Sequence, residues 1–422
     1  MNKQVLAIAA LAALVMLFVS ACEANSNRTS SPEGDAASDT DTDVDTDTDG
    51  DSDSDADSDT DTDTDTGNSD IDNSYIWISN NDEGTVSKID TKTVTELGRY
   101  QVRPDGAGQP SRTSVYFGGD VVVAARTGGV SKFFADPADC QESNGVAGIQ
   151  TSTGGNDVLL WNQEECRAWH TPFNYISMRA LAWTSGEYNS STKTWENARV
   201  WATGTTSDFR FEVVLMDGEN GQVLQTIELT DVLVGDHDHG GYGGVVDSEN
   251  NFWIVQIYSQ KLIKVSFEDF TYQVWDEPVG VYGVTLDGEG RIWTCNERLG
   301  RFDPASATWD TGDLIEIGEF FNLTGGCMAD GEGILWNSIN DKLYAIDTET
   351  FAIVDTIIIP ESPLWGVAID AEGYVWTMAR YGTTAYRVDP SNHTYETLQG
   401  LVGAYSYSDM TGHTLKTAVI VK

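Results

Sequence analysis

The sequence predicts an all-β fold: a single seven-bladed β-propeller of four-stranded blades, its ring closed by a C-terminal strand. Three observations carry that reading. A Trp-marked phrase recurs about every forty residues, a second pair of strands follows each phrase, and the C-terminal segment matches the start of a unit. The phrases are Asp247-Ser-Glu-Asn-Asn-Phe-Trp253, Asp287-Gly-Glu-Gly-Arg-Ile-Trp293, Asp330-Gly-Glu-Gly-Ile-Leu-Trp336 and Asp370-Ala-Glu-Gly-Tyr-Val-Trp376, with Trp spacings of 40, 43 and 40 residues. Each is preceded by a short apolar or small-residue run, so it reads as strand, tight polar turn, strand. A fixed period of this length marks a repeat architecture, and four strands per unit is the composition of a propeller blade.

Third strands follow at Lys261-Leu-Ile-Lys-Val-Ser, Leu299-Gly-Arg-Phe-Asp-Pro, Lys342-Leu-Tyr-Ala-Ile-Asp-Thr and Ala385-Tyr-Arg-Val-Asp-Pro. Fourth strands such as Ala352-Ile-Val-Asp-Thr-Ile-Ile-Ile come next. Upstream, Tyr75-Ile-Trp77, Val121-Val-Val-Ala and Arg199-Val-Trp201 mark three more decayed units, which brings the total to seven. The first unit has no room for an innermost strand before Trp77. Ala404-Tyr-Ser-Tyr-Ser-Asp409-Met-Thr-Gly412 aligns with the innermost strand and turn of the later units and is expected to supply it. A ring joined this way leaves no open sheet edge.

The N-terminus has a different character. Met1-Asn2-Lys3-Gln4 is a short basic start, and Val5 to Val19 is almost wholly apolar, ending in Val19-Ser20-Ala21-Cys22. This is the pattern of an export signal, too short to span a membrane. Its end resembles the lipobox of bacterial lipoproteins. The resemblance implies cleavage before Cys22 and lipidation of that residue, with several acyl chains to hold the protein on a membrane. From Asp39 to Asp65 every second residue is Asp, with nothing to bury, so the segment reads as an extended acidic tether. The expected organisation is a signal peptide over 1–21, a lipidated Cys and tether over 22–72, and the propeller over 73–422. The expected location is the outer membrane or cell surface.

Formal net charge is −43. Residues 1–72 hold 19 of the 67 acids and two of the 24 bases, so the rest carries 48 acids against 22 bases, a net of −26. A domain this acidic repels nucleic acid and anionic lipid surfaces, and a monomer is expected. Four cysteines besides Cys22 suit an oxidising compartment. Cys140 and Cys166 flank a polar insertion in the second unit and are expected to pair. For Cys295 and Cys327, a second bridge and buried thiols both remain open.

The units resemble those of the virginiamycin B lyase family and the related NHL and YncE-like propellers. The likeness rests on Asp-Gly-x-Gly-x-apolar-Trp followed by Leu-Gly-Arg-Phe or Val-Ser-Lys-Ile, and covers roughly residues 75–415. The whole chain is similar to lipoproteins with Asp/Thr-rich tethers. The lyase resemblance implies a magnesium-assisted elimination that opens a cyclic depsipeptide, with His and Glu near the central channel. The matching positions, eleven residues before each Trp, read Tyr242, Tyr282, Gly325 and Trp365. None is His or Glu, so no catalytic residue carries over.

Two groups of residues are candidates for chemistry. Asp236, His237, Asp238 and His239 precede an innermost strand. Imidazole and carboxylate together suit a divalent metal such as magnesium, and His237 or His239 is the candidate acid–base group. The ligand-binding candidates are Tyr242, Tyr282, Trp365 and Tyr405, expected to flank the channel and offer ring faces to a ring-bearing or sugar-like ligand. Glu142 to Gln150 faintly resembles a calcium loop, although Val146 and Gln150 stand where acceptors are needed. The favoured expectation is an anchored module that binds a protein, peptide or glycan. The alternative is a metal-dependent lyase acting on a cyclic depsipeptide or glycan-like substrate.

Overall fold

The recurring phrase folds as a hairpin built by its aspartate. Asp287 Oδ1 accepts the backbone N–H of Glu289 and of Arg291, both at 3.0 Å, while Oδ2 accepts the indole N–H of Trp293 at 2.7 Å. Asp247 and Asp370 accept from Trp253 and Trp376 in the same way, at 2.8 and 2.9 Å. Three residues beyond each aspartate, Asn250, Gly290, Gly333 and Gly373 have φ between 64° and 112°, which explains why that position reads Gly or Asn. A single carboxylate therefore shapes the turn and fixes the Trp ring. Trp253, Trp293 and Trp376 are at most 1% exposed.

A computed structural model describes residues 74–234, 239–296, 298–313 and 324–420. The export signal, Cys22 and the tether lie outside these residues, as do Asp236, His237 and Asp238. Among the described residues every strand pairing is antiparallel, and the single α-helix, His413–Ile420, is too short to cross a membrane. A typical sheet runs Gly243–Val246, Phe252–Gln256, Lys261–Val265, Tyr272–Asp276 in chain order. The first strands of successive sheets touch one another in chain order, from Pro110–Val115 through Ser177–Trp183, Gly243–Val246, Gly283–Leu286 and Thr324–Ala329 to Leu364–Ile369. Four-stranded sheets gathered by their first strands make a propeller-like, all-β fold. Core residues from neighbouring sheets fill the spaces between them, as where Trp201 stacks on Phe252 at 5.8 Å.

The C-terminal segment bonds to strands near the start of the chain. Trp77 N donates to Met410 O at 2.9 Å and Tyr405 N to Ser79 O at 3.0 Å. On its other side, Thr113 N donates to Ser408 Oγ at 2.9 Å and Ser408 Oγ to Thr113 O at 2.8 Å. The helix that follows packs on Gly243–Val246 and Gly283–Leu286, at the end of the axis where the aspartate turns lie.

The insertion lies between the third and fourth strands of its sheet, Val130–Phe133 and Arg167–Thr171. Its two cysteines are bonded, Cys140 to Cys166, with Cα atoms 4.5 Å apart, and a second bond joins Cys295 to Cys327. Glu165 organises the insertion by accepting the N–H groups of Ser143, Asn144 and Gln150 at 2.5 to 2.9 Å. Those hydrogen bonds hold its carboxyl below the usual range. Glu142 accepts from Gly148 N at 2.7 Å, so this carboxylate too serves the loop backbone. The insertion also docks outward, with Ser152 Oγ accepting from Arg99 N at 3.1 Å and Gly155 N donating to Glu96 at 2.9 Å. By chain entropy alone a loop of this size gains about 3 kcal/mol from its disulfide. Because Glu142 and Glu165 hold the insertion's backbone from within the loop itself, Cys140→Ser/Cys166→Ser is expected to speed proteolysis between the two positions and leave the main thermal transition nearly unchanged. Limited proteolysis with mass mapping, beside calorimetry, checks this.

Candidate functional site

Innermost strands start at one end of the axis, and the second strands end there. The side chains at these two positions build the site. Tyr242, Tyr282, Trp365 and Tyr405 come together, with ring centroids 5.3 Å apart for Tyr242–Tyr282, 4.7 Å for Tyr282–Trp365 and 5.7 Å for Trp365–Tyr405. Tyr407 joins them, 4.9 Å from Tyr282 and 5.3 Å from Tyr405. Tyr242, Trp365, Tyr405 and Tyr407 are at most 4% exposed. The set therefore packs face to edge across the axis instead of flanking an open bore. Among the described residues at this end, Tyr258 and Tyr381 have the most exposed rings, 48% and 42%. Tyr381 lies 4.9 Å from Tyr405, while His239 stacks on Tyr242 at 5.6 Å and approaches Tyr258 at 5.5 Å.

Four arginines enter this cluster, and sequence reasoning missed all of them. Arg112 is fully buried, donates to Tyr242 O through Nε and Nη2 at 3.0 and 2.6 Å, and lies 3.1 Å from the Tyr407 ring centroid. Arg126 sits 4.4 Å over Tyr405, Arg179 5.4 Å over Tyr242, and Arg380 4.2 Å over Trp365. Such contacts favour a cation on a ring face. A register count from the Trp position finds two of them. Val122 takes the place of Trp253 and Trp376 in its hairpin, and the residue four further on is Arg126, Ile257 and Arg380 respectively. Arg179 is hidden because a small hairpin, Glu187–Asn189 with Thr194–Glu196, separates it from Trp201. Ala182 opposes Trp201 as Val245 opposes Trp253, which puts Arg179 in the position of Tyr242.

The electrostatics of the cluster are uneven. Burial pulls Arg112 and Arg179 below the ordinary guanidinium range, and the neighbouring Arg126 pushes Arg179 the same way. The hydroxyls of Tyr282 and Tyr405 share a hydrogen bond of 2.5 Å. Burial pushes Tyr282 well up. At Tyr405 burial also acts upward, but the Tyr282 hydroxyl and the Arg126 and Arg112 guanidiniums outweigh it and hold the phenol below its usual value. Elsewhere, a cleft of about 650 Å³ lies at the helix end of the axis, lined by Asp330, Asp370, His413 and Lys416 among others. Among the described residues, no three of His, Cys, Asp and Glu are grouped so as to hold a metal ion.

No protein-family model matches the chain, and no curated protein matches it. Among solved structures it is similar to a streptogramin B lyase, with 19% identity and a TM-score of 0.39 over 48% of this chain and 65% of that one. It therefore spans slightly under two thirds of that lyase's length. It is similar to a catalytically inactive virginiamycin B lyase from Staphylococcus aureus with quinupristin, at 15% identity and a TM-score of 0.47, over 69% of this chain and 84% of that one. It is also similar to the dihydro-heme d1 dehydrogenase NirN in complex with DHE, at 11% identity and a TM-score of 0.49, over 82% and 76% of the two chains. These likenesses are of fold.

Proposed function

We propose that the chain is a membrane-anchored binding lipoprotein. Lipid on Cys22 holds it at the outer membrane or cell surface, and the acidic tether carries a seven-bladed propeller away from the bilayer. Residues 405–410 complete the first blade and close the ring. The ligand, a protein, peptide or glycan, is held at the end of the axis opposite the C-terminal helix. One observation carries the binding reading: five aromatic side chains and four guanidiniums from different sheets converge there, with Tyr258 and Tyr381 presented at the rim. Aromatic side chains combine large contact area with little loss of rotamer freedom and are enriched at binding surfaces for that reason.

Two measurements test the reading. Cys22→Ser is expected to abolish fatty-acid labelling and move the protein out of the membrane fraction. Unchanged fractionation would remove the anchor from the proposal. A panel of glycans and peptides, probed with the wild type and with a Tyr258→Ala/Tyr381→Ala variant, is expected to yield binders that the variant loses. Binders retained by the variant would place the ligand elsewhere.

A further inference from the structure

The arginines at the axis are out of keeping with the rest of the surface. Beyond the tether the chain has 48 acids for 22 bases. Arg99, Arg103, Arg210, Arg291, Arg298, Arg301 and Arg387 each pair with a carboxylate. Among the described residues Arg112, Arg126, Arg167, Arg179, Arg199 and Arg380 form no such ion pair, and of these Arg126, Arg179 and Arg380 stand half-buried together at this end of the axis. The Nε atoms of all three, and Nη2 of Arg126, are buried without a hydrogen-bond partner. Buried donors left unpaired cost free energy, more so when they are charged. Ring faces compensate only in part.

The groups are also close together. Arg126 and Arg380 both lie over the Tyr405 ring, at 4.4 and 5.8 Å, and Arg179 shares the Tyr242 ring with Arg112, at 5.4 and 4.8 Å. Of the rim tyrosines, Tyr381 has its ring 5.3 Å from the Arg380 guanidinium, and Tyr258 is joined to the Tyr242 ring through His239.

We propose that this end of the axis is an anion site, in which Arg126, Arg179 and Arg380 receive the carboxylate of a compact ring-bearing acid and Tyr258 and Tyr381 flank its ring. This rests on the reading of the same surface as the binding face. A planar guanidinium matches a carboxylate with two parallel hydrogen bonds, and satisfying the orphaned donors offsets the cost of burying them. The surrounding negative field repels an extended polyanion before it reaches the mouth, whereas one carboxylate on a small ring meets mainly the local positive field. Uronic-acid sugars and aromatic acids share that chemistry.

The test uses the full chain, titrated with galacturonate and with benzoate, and with their neutral counterparts galactose and benzyl alcohol. Ligand-observed NMR and intrinsic fluorescence are read at low and at physiological salt. At least one acid is expected to bind, its neutral counterpart about tenfold or more weaker, with affinity falling as salt is added. Arg126→Gln and Arg380→Gln are each expected to weaken the acid by about tenfold or more, and Arg380→Lys by less. Arg298→Gln, where the arginine is exposed and already paired with Asp313, is expected to change nothing. Thermal unfolding of each variant separates loss of the site from loss of the fold. If neutral and acidic probes bind alike and the arginine variants are indifferent, the anion inference fails while the binding face stands. If neither acid binds at millimolar concentration the inference also fails, and the glycan and peptide panel decides the binding face independently. If an acid binds but every arginine variant holds it as tightly as the wild type, the site is elsewhere.

Discussion

Removing the residues after Leu401 is expected to unfold the whole domain instead of fraying its end. The lost segment contributes side chains to four separate parts of the core: Ala404 and Met410 beside Tyr75–Asn80, Tyr405 and Tyr407 on the axis, Leu415 and Ala418 beneath it. All six are at most 4% exposed. Arg112 would lose the ring it rests on, and the backbone bonds from Trp77 and to Ser79 would lose their partners. Deleting a large core side chain costs about 2–5 kcal/mol, so several together exceed the 5–15 kcal/mol, roughly, that holds a typical domain folded. A shorter truncation that removes only residues 413–422 is expected to lower the midpoint while leaving a cooperative transition, since the seam at Ser79 and Thr113 survives. Urea unfolding followed by near-ultraviolet circular dichroism distinguishes the two. A cooperative transition at an unchanged midpoint in the longer deletion would rule out closure by this segment.

The features legible in the sequence are those whose chemistry is local and repeated. Asp287 and Trp293 stand six residues apart because one carboxylate must both close the turn and meet the indole, and the same demand recurs at Asp247 and Asp370. The aromatic set is visible because its members sit at one repeating offset. The arginines are not, because their function depends on which sheets face each other across the axis. Arg179 shares a register position with Tyr242, but the hairpin at 187–196 doubles its distance along the chain from the Trp that marks the unit. Periodicity shows that Tyr242, Tyr282, Trp365 and Tyr405 point the same way. It cannot show that the rings are close enough to fill the space between them, which depends on how far apart the innermost strands lie. The pairing of Cys295 with Cys327 is hidden for a similar reason, since the bond crosses from a second strand to the next sheet's first strand.

Asp409→Asn is expected to stabilise the protein at neutral pH. The Asp409 carboxyl lies inside the axis, bordering two voids of about 10 Å³ each, and Oδ1 accepts the N–H of Gly412 at 2.8 Å and of Thr411 at 3.3 Å. Among the described residues no cation pairs with it. Burial pushes its pKa up to about 6, and the backbone N–H groups only partly oppose that. In the unfolded chain an aspartate titrates near about 3.9. Below about 4 the group is protonated in both states and takes nothing from stability. Between about 4 and about 6 the native state keeps a proton that the unfolded state has released, so this group's contribution falls as pH rises. Above about 6 the cost is complete, on the order of 1–3 kcal/mol, since each tenfold change in proton affinity is worth about 1.4 kcal/mol. Asparagine removes the charge and keeps one oxygen for Gly412 and Thr411, but its amide nitrogen cannot accept from Thr414 and Leu415, whose N–H groups also oppose the rise. The variant should therefore gain on the wild type by up to that amount as pH rises from about 4 to about 7, less a pH-independent cost for the lost acceptor. Carboxylates held below their usual range, Glu165 and Asp157 among them, tilt the total curve the other way, so the informative quantity is the difference between variant and wild type at each pH. Urea midpoints measured from pH 4 to 8 give it. A variant less stable than the wild type at pH 7, by a margin that does not change with pH, would mean that the charge at Asp409 is compensated and that its value lies in the helix cap.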